Sequence, residues 1–551
     1  MRAQIGILAA IVVVSYANSL FNGFTMDDEL YILRNPQVTQ HSLAQLAQPN
    51  AASNVFRPVT FATLALNWIS AGYKPFGYHL FNLLVHAGVV VFLLLVLREL
   101  LAGWPHCESL CFAAALLFAV HPLHTEAVSS VVGRSELLAA GFLLAAWLFH
   151  LRDRHILAIV GLVLALLSKE SAIALLPLAL AGDYARGKWK SLTRYGALAA
   201  TTLVYVAALW KIQGNRFGFA VSLLDNPLTI LPVHLQVLNA LRIAWKYLAL
   251  LAFPATLSCD YSYNQIALYA DLRHLFLPAA SAIAVFVAWL WAVWTRKTPW
   301  IVAGALYFAA FAATSNIFTR IGTIFAERLA YLPSAGFCLI VAVLWAKWFT
   351  HHRQTAVAVL GVVVLALGVR TIRRNRDWRD NATLYTAAAD AVPNSAKMRA
   401  FRGIIYVRRN QLELARADLQ AALRINPEYP DAMEAMGLLE ARSGNTAAAL
   451  SYLQRALEIS DRTDFDYDNR ALNLADLEIQ IDRLDDAMKL LNKEIAQSPN
   501  YSRVWSTRAA LRLRLGQSFA AREDAQRALH LDPTNTQAAN VLRSSEPAAL
   551  R

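Results

Sequence analysis

Long apolar runs alternate with short basic loops along the first two thirds of the chain. A spanning helix needs about 20 mostly apolar residues, and somewhat fewer where the bilayer adapts. Eleven runs meet this requirement, at 4–21, 78–98, 108–121, 136–151, 155–168, 170–183, 193–210, 274–295, 299–318, 331–349 and 354–370. The pattern predicts a polytopic membrane domain of about 11 helices over residues 1–372.

A further apolar run at 233–253 is long enough to span but carries two cations. Arg242 and Lys246 are four residues apart and share one helical face. Two unpaired cations at mid-bilayer depth are costly, whereas a helix in the membrane interface lets both side chains reach water. We therefore interpret this run as an interfacial helix on the outer side.

Basic loops set the orientation of the spans. Placing these loops in the cytoplasm, as the positive-inside rule asks, puts the N-terminus inside and the loop 22–77 outside. The same alternation puts the C-terminal region outside, yet the basic stretch RTIRRNRDWR at 370–379 favours the cytoplasm. Charge alone therefore leaves the side of the C-terminal region open.

The last third of the chain repeats with a period near 34 residues. Prolines recur at 393 and 427, and small residues recur at Ala415, Ala449, Ala487 and Ala521, with steps of 34, 38 and 34. This arithmetic is typical of tetratricopeptide repeats. It predicts four helix pairs over 394–541, after a linker at 373–393 and before a tail at 542–551. Such arrays bind peptides in a concave groove; a spacer or a dimerisation surface is the alternative.

Composition supports this division. The chain is 57% hydrophobic and 16% charged, whereas soluble proteins are nearer a quarter charged. Its net charge of +13 comes mostly from short loops between apolar runs, which favours lipid phosphates over nucleic acid as the partner. The four cysteines lack paired CxxC spacing and predict neither a disulfide framework nor a metal site. The first apolar run lacks a cleavage site, so we interpret it as a retained span.

Three consecutive acids, Asp27, Asp28 and Glu29, follow the first span. Acids in such a loop can be merely solvated, and Asp28 can cap the helix that begins ELYIL. The functional interpretation is a carboxylate at the membrane surface that deprotonates an acceptor hydroxyl or holds a divalent ion. No cofactor is certain, and a divalent cation on Asp28 is the one metal considered.

Two further polar clusters lie in predicted external loops. In HPLHTEAVSSVVGRSELL, a helix would turn Glu126 away from His121 and His124, so a polar cavity lining or loop hydrogen bonds are favoured over metal binding. Arg134 and Lys169 are candidate phosphate contacts or lipid anchors. In the segment around FAERLAYLPSAGFC, candidates are Glu327, Arg328 and the upstream Arg320, with Glu327–Arg328 also readable as a structural ion pair.

Several motifs together resemble one family. DDELYILRNPQV, RPVTFATLALNW, GYHLFNLLVHA, AVHPLHTEAVSSVVGRSELLAA, LSKESAIALLPLALAGDYAR and AERLAYLPSAGFC occur in this order. They resemble the transmembrane and tetratricopeptide-repeat O-mannosyltransferases, which are similar to the C-type glycosyltransferases. The resemblance covers the whole chain. It implies an external acidic pair, external repeats, a polyprenyl-phosphate sugar donor and an inverting transfer.

The resemblance and the residues together give a hypothesis for each site residue. Asp27 is the general base, and Asp28 orients it or binds a metal. The candidates for the donor phosphate are Arg134, Lys169, Arg320 and Arg328. The supporting residues are Glu29, His79, His121, His124, Glu126 and Glu327; among them Glu327 fixes Arg328, and His79 and His124 line the acceptor path.

The sequence therefore predicts an all-α membrane enzyme followed by an α-solenoid of repeats. The expected reaction moves a sugar, with mannose favoured, from a polyprenyl-phosphate donor to a polypeptide acceptor recruited by the repeats. Transfer to a lipid or cell-wall glycan, and a non-catalytic repeat scaffold, are the alternatives. The short repeat array favours a bacterial inner membrane with periplasmic repeats; in a eukaryote the corresponding place is the endoplasmic reticulum membrane.

Overall fold

The computed structural model describes residues 1–40, 42–50, 54–214, 221–462 and 466–545. Within these ranges the chain is helical and contains no β-strand, which confirms the predicted all-α class. The chain divides into two compact units, Met1–Pro393 and Asn394–Arg551. The tail predicted at 542–551 lies outside the described residues from position 546 onward.

The first unit, called the membrane unit below, is built from long apolar helices with short helices in its loops. Its α-helices are α1 Arg2–Tyr16, α2 Pro36–Thr39, α3 Leu43–Leu46, α4 Pro58–Ala71, α5 Phe76–Leu100, α6 Cys107–Val120, α7 Thr125–Ser129, α8 Arg134–Leu151, α9 His155–Leu166, α10 Leu175–Arg186, α11 Leu192–Ile212, α12 Val233–Ala252, α13 Leu272–Trp294, α14 Thr298–Ala312, α15 Ser334–Phe349, α16 Arg353–Asp377 and α17 Asn381–Ala391. Single 3₁₀ turns lie at Ala17–Phe21, Pro122–His124, Glu170–Ala174, Pro227–Ile230 and Glu327–Ala330, and a π turn at Glu29–Leu33.

Six helices in the described part of the chain are long and apolar enough to cross a membrane, which makes this a membrane protein. They are α1 with its 3₁₀ extension, α5, α8, α11, α13 and α16; a seventh span arises if α6 and the segment Pro122–Ser129, bent by 50°, count as one. The predicted count of 11 is not confirmed. Helices α9, α14 and α15 are apolar but shorter than 18 residues, and the apolar run at 170–183 is split between a 3₁₀ turn and α10.

Helices α1 and α16 end side by side, and polar side chains join their ends. The Asn375 side chain donates to the Ser15 carbonyl (2.8 Å), and Asn22 donates back to the Asn375 carbonyl (3.0 Å). The Gly23 amide donates to the Arg379 carbonyl (2.8 Å). The chain therefore leaves the membrane unit at the face that carries the acidic loop.

The basic stretch at 370–379 is engaged in contacts inside the membrane unit. Arg374 is 1% exposed and bonds Asp377 (3.0 Å), and Arg370 donates to the carbonyl of Ala255 (2.9 Å). Two of its five arginines, Arg370 and Arg374, are thus held by protein groups, which reduces the weight of this stretch as a signal for the side of the membrane. The predicted linker 373–393 contains the end of α16 and all of α17, and both lie within the membrane unit.

The second unit, called the repeat unit below, consists of helix pairs. Its helices are α18 Ala396–Arg408, α19 Leu412–Ile425, α20 Pro430–Arg442, α21 Thr446–Ile459, α22 Tyr467–Gln480, α23 Leu484–Gln497, α24 Ser502–Arg514, α25 Ser518–Leu531 and α26 Thr536–Ser544. The four recurrent alanines at 415, 449, 487 and 521 are fully buried. Gly403 and Gly437 face Leu419 and Leu453, and a Cβ on either glycine would lie 2.7 Å from the leucine Cγ. These small residues let the paired helices pack closely.

Candidate functional site

The acidic loop after α1 is anchored by Asp28. Its carboxylate is fully buried and accepts hydrogen bonds from the backbone amides of Thr25 (2.9 Å) and Val132 (2.9 Å), one on each oxygen. Burial raises the pKa of Asp28 to about 7. Val132 lies just before α8, so Asp28 ties the acidic loop to that helix. Because both oxygens accept amides, the contacts favour the orienting role over the metal-binding one.

Asp27 is different from its neighbour. It is half-buried, and within the described part of the chain its carboxylate makes no hydrogen bond or ion pair. Only its backbone carbonyl is engaged, by the amide of Tyr31 at 2.9 Å. Within the described residues the Asp28 carboxylate is thus committed to the fold, whereas that of Asp27 is not.

Arg328 is the cation whose charge responds to Asp27. Although burial works against its charged form, Glu126 and then Asp27 hold the pKa of Arg328 above its usual value. Glu126 is 1% exposed; it binds the Arg328 guanidinium and also accepts from the Arg328 amide at 2.9 Å. Asp27 and Arg328 thus lie within electrostatic reach of each other, with Glu126 holding Arg328 in place.

The proposed pairing of Glu327 with Arg328 is wrong. The fully buried Glu327 carboxylate instead accepts from the Ser258 amide (2.6 Å) and the Tyr261 hydroxyl (2.7 Å), and lies 3.8 Å from Arg374. The two residues are consecutive in a 3₁₀ turn, so their side chains point to different sides. Sequence adjacency could not reveal that each belongs to a separate network.

Arg134, at the start of α8, is fully buried by α5. It donates to the Asn82 side chain (2.9 Å) and the Tyr78 carbonyl (3.0 Å), and its guanidinium carbon lies 4.4 Å from the centre of the Phe81 ring. One terminal nitrogen, Nη1, is buried with no hydrogen-bond partner among the described residues. Most of this guanidinium therefore serves the fold, and only Nη1 remains for a phosphate.

Lys169 is bound to Glu136, a residue that the sequence analysis did not select. The pair joins α8 to the segment before α10, and both side chains are at least nine-tenths buried. Next to it Arg57 donates to Glu170 through two nitrogens, at 3.2 and 2.7 Å. Arg57 and Glu136 both lie in motifs quoted for the family resemblance, which was the available signal for them.

The remaining predicted residues lie apart from these pairs. Arg320 is exposed and has no ion pair within the part of the chain that the structure describes. Glu29 is exposed and pairs with Arg34. Both therefore face solvent, and neither contacts the buried charges around Arg328.

The predicted histidines are buried in the protein. His79 is 1% exposed, His121 bonds the Leu251 carbonyl (3.0 Å), and the fully buried His124 bonds the Ser334 hydroxyl (2.7 Å). His121 and His124 thus fasten the 121–124 turn to α12 and α15. Among the described residues, no group of three or more His, Cys, Asp or Glu side chains could hold a metal ion.

A small apolar cavity lies beside the charged pairs. Its wall is mostly alanine and leucine, and its polar lining consists of Glu136, Ser171 and Thr314. Leu329, the neighbour of Arg328, also lines it. Arg328 is within electrostatic reach of both Asp27 and Glu136, so an acid, paired cations and an apolar wall lie in one region, which suits a ligand with a charged head and a hydrocarbon tail.

The family models that match this chain are both described as tetratricopeptide repeat, one over residues 440–511 and the other over 370–430 and 402–464. The curated "Protein O-mannosyl-transferase TMTC3" of Mus musculus is 28% identical over 97% of this chain. The "Protein O-mannosyl-transferase TMTC4" of Homo sapiens is 27% identical over 71% of this chain and 62% of its own length. These matches confirm the resemblance stated from the motifs. The chain spans 64% of the length of the TMTC3 relative.

Proposed function

We propose that this chain is a membrane glycosyltransferase, and that it moves mannose from a polyprenyl-phosphate-linked donor to hydroxyl groups of a protein. The relatives named protein O-mannosyl-transferases support the sugar and the acceptor class. The observation that carries the proposal is the unpaired Asp27 carboxylate, within electrostatic reach of Arg328 and on the loop that Asp28 fastens to α8.

In the proposed reaction, Asp27 removes the proton from the acceptor hydroxyl. The hydroxyl oxygen then forms a bond to the anomeric carbon, and the bond from that carbon to the phosphate oxygen breaks. The bonding electrons leave with the lipid phosphate, whose negative charge requires a cation. Arg328 is the best-placed cation for this, since Glu126 fixes it and its pKa keeps it charged. Attack from the face opposite the leaving group inverts the anomeric configuration.

The other cations have graded roles in this proposal. Lys169 lies with Glu136 at the edge of the apolar cavity and would meet the phosphate after exchanging its partner. Arg134 offers Nη1 only. Arg320, on an exposed loop, would contact the donor only if that loop covers the site. The first part of the polyprenyl chain would lie against the apolar wall of this cavity.

Partner recognition falls to the repeat unit in this proposal. Tetratricopeptide arrays bind peptides, and the end of the membrane unit lies beside the acidic loop. The repeats would therefore recruit a polypeptide acceptor for the face that carries the acidic loop. On the predicted topology this face is periplasmic in a bacterial inner membrane.

The first test is sugar transfer by the full-length protein in liposomes. Polyprenyl-phosphate mannose is the donor, a periplasmic extract is the acceptor, and wild type is compared with Asp27→Asn. Loss of a general base typically lowers the rate by about 10² to 10⁴-fold. Glu29→Gln is the matched control, since Glu29 is exposed and paired with Arg34.

Label on protein that depends on Asp27 supports the proposal. Label found only on lipid or glycan would show that the acceptor is a lipid or a glycan and not a protein. Full transfer by Asp27→Asn would exclude Asp27 as the base. A chain that transfers no sugar from any polyprenyl donor would instead be a membrane-anchored repeat scaffold.

A further inference from the structure

Lys246 on α12 carries a charge that the protein does not neutralise. Its ammonium nitrogen lies 4.5 Å from the centre of the Tyr261 ring and 5.4 Å from that of Phe325. Within the described residues it makes no hydrogen bond and no ion pair. The two rings attract the ammonium through their faces but accept none of its hydrogen bonds.

Glu327 is the acid whose charge acts on Lys246, and its carboxylate already accepts hydrogen bonds from other residues. Glu327 accepts from Ser258 and Tyr261 and lies 3.8 Å from Arg374. Burial lowers the pKa of Lys246 to about 8, with Glu327 working in the opposite direction and Arg242 adding to the decrease. Lys246 is therefore a cation in an aromatic corner with its three N–H donors unpaired.

Arg242, one turn earlier on the same helix, makes a useful contrast. Its guanidinium donates to the Ala267 carbonyl and lies 4.7 Å from the centre of the Tyr269 ring. Arg242 is thus held by a backbone acceptor, whereas Lys246 has none. Arg242 keeps one buried nitrogen, Nε, without a partner among the described residues, but one of its terminal nitrogens is anchored, whereas all three donors of Lys246 lack a protein acceptor there.

Helix α12 is tied to the turn that carries Arg328. The hydroxyl of Tyr247, the residue after Lys246, donates to the Ala326 carbonyl (3.2 Å) and accepts from the Ala326 amide (3.2 Å). Phe325, which lies beside the Lys246 ammonium, is three residues before Arg328. Lys246 therefore contacts the segment 325–328, which carries Arg328. Arg328 is held by Glu126, whereas Lys246 has no acceptor among the described residues.

We propose that Lys246 is a binding residue for a phosphate monoester at the end of a polyprenyl lipid. This rests on the proposed function and extends it, because such a lipid phosphate is the leaving group of the proposed transfer. A phosphate monoester carries nearly two negative charges and three acceptor oxygens, which match the three donors of one ammonium. A phosphodiester headgroup carries a single charge, so the site prefers the monoester lipid. Inorganic phosphate has the same chemistry without the hydrocarbon chain.

Equilibrium binding of polyprenyl monophosphate to the full-length protein in nanodiscs tests the inference without requiring transfer. We expect Lys246→Gln to weaken binding by about tenfold or more, the size of a charged hydrogen bond. Lys246→Arg should retain binding within about threefold, because the charge is kept. Arg242→Gln is the matched control and should bind as wild type does. Thermal unfolding of each variant separates loss of binding from loss of fold.

Three probes distinguish the sources of the phosphate. Binding of polyprenyl monophosphate that depends on Lys246, with no competition by inorganic phosphate, assigns the site to the lipid. If inorganic phosphate competes with polyprenyl monophosphate in wild type but not in Lys246→Gln, the site recognises the phosphate group alone. This result also supports the inference. Equal binding by wild type and Lys246→Gln overturns it, as does equal Lys246-dependent binding of phosphatidylglycerol. Lys246-dependent binding without any sugar transfer would reject the proposed reaction and leave the site standing.

Discussion

The two units of the chain arrange their ion pairs in opposite ways. In the repeat unit the same pair recurs at the same spacing: Arg402 binds Asp418 and Arg508 binds Asp524, each 16 residues apart. In the membrane unit, besides local pairs such as Arg374–Asp377, several pairs join distant segments. Arg328 binds Glu126 across 202 residues of chain.

The difference follows from how the helices meet. In a repeat array each helix packs against its sequence neighbours, so a local spacing fixes both the fold and the pairs. In the membrane unit the polar loops of separate spans converge at one end of the bundle, and any of their charges can meet. In a periodic sequence the local spacing is enough to predict which residues pair. In a site where loops of several helices meet, the pairs depend on how the whole helix bundle packs.

The largest expected effect is on the long-range pair. Glu126→Gln should lower the free energy of unfolding by about 3 kcal/mol, the lower end for breaking a buried pair, because the Arg328 side chain is 31% exposed. Arg402→Gln should cost less, since Asp418 keeps Arg399 at 2.8 Å. Unfolding of the full chain in detergent measures both. Equal losses would show that the two kinds of pair are equivalent.

A pH dependence is the next effect. Burial raises the pKa of Asp28 from 3.8 to about 7, so between these values the folded protein holds a proton that the unfolded chain releases. The free energy of unfolding should therefore fall as pH rises through this window, by at most about 1.4 kcal/mol per pH unit, and level off above pH 7. Asp28→Asn should remove this contribution, as measured by thermal unfolding between pH 5 and 8.

Two variants sharpen that measurement. Glu29→Gln should retain the slope, because Glu29 is exposed. In the repeat unit, burial raises the pKa of Glu434 to about 7 as well. Glu434→Gln should therefore remove a separate part of the pH dependence of the free energy of unfolding. A slope unchanged by Asp28→Asn would mean that its carboxylate is ionised throughout the range.

The smallest expected effect tests the equivalence of the repeats. Gly403→Ala and Gly437→Ala should each lower stability by about 1 kcal/mol, because the added Cβ would lie 2.7 Å from a leucine Cγ and the gain in helix propensity only partly offsets this overpacking. Gly361→Ala in α16 is the control, since nothing lies within 4 Å of its Cβ position. Thermal unfolding gives all three values. Unequal losses at 403 and 437 would show that the period does not ensure equivalent packing.

Sequence patterns predicted the helices well where they were long or repeated. The run at 78–98 is found as α5 and the run at 193–210 as α11, because about 20 consecutive apolar residues leave the backbone no alternative to a helix. Shorter elements were missed: α4 lies in the predicted external loop and α17 in the predicted linker. Neither carries a signal long enough to separate it from a loop.

The sequence predicted which types of residue form the candidate site, but it did not predict which of them pair with each other. Asp27, Asp28, Glu126 and Arg328 were predicted because ionisable residues cluster in the predicted external loops. The assignment of Glu327 to Arg328 failed because adjacency along a turn does not give side-chain direction. Arg57 and Glu136 were overlooked because each becomes conspicuous only beside its partner.

The sequence by itself determined the helical class, the division into an apolar part and a repeat part, and the acidic motif at the end of the first span. Those features depend on composition and on periods of a few to 34 residues, which a linear pattern records. Only the tertiary structure decided that Asp28 is buried and hydrogen-bonded while, within the described residues, the Asp27 carboxylate makes no hydrogen bond or ion pair. It likewise decided that Arg242 has a backbone acceptor while Lys246 has none among those residues. Neighbouring residues of the same chemistry acquire different roles because burial and hydrogen bonding depend on which distant segments pack against each one.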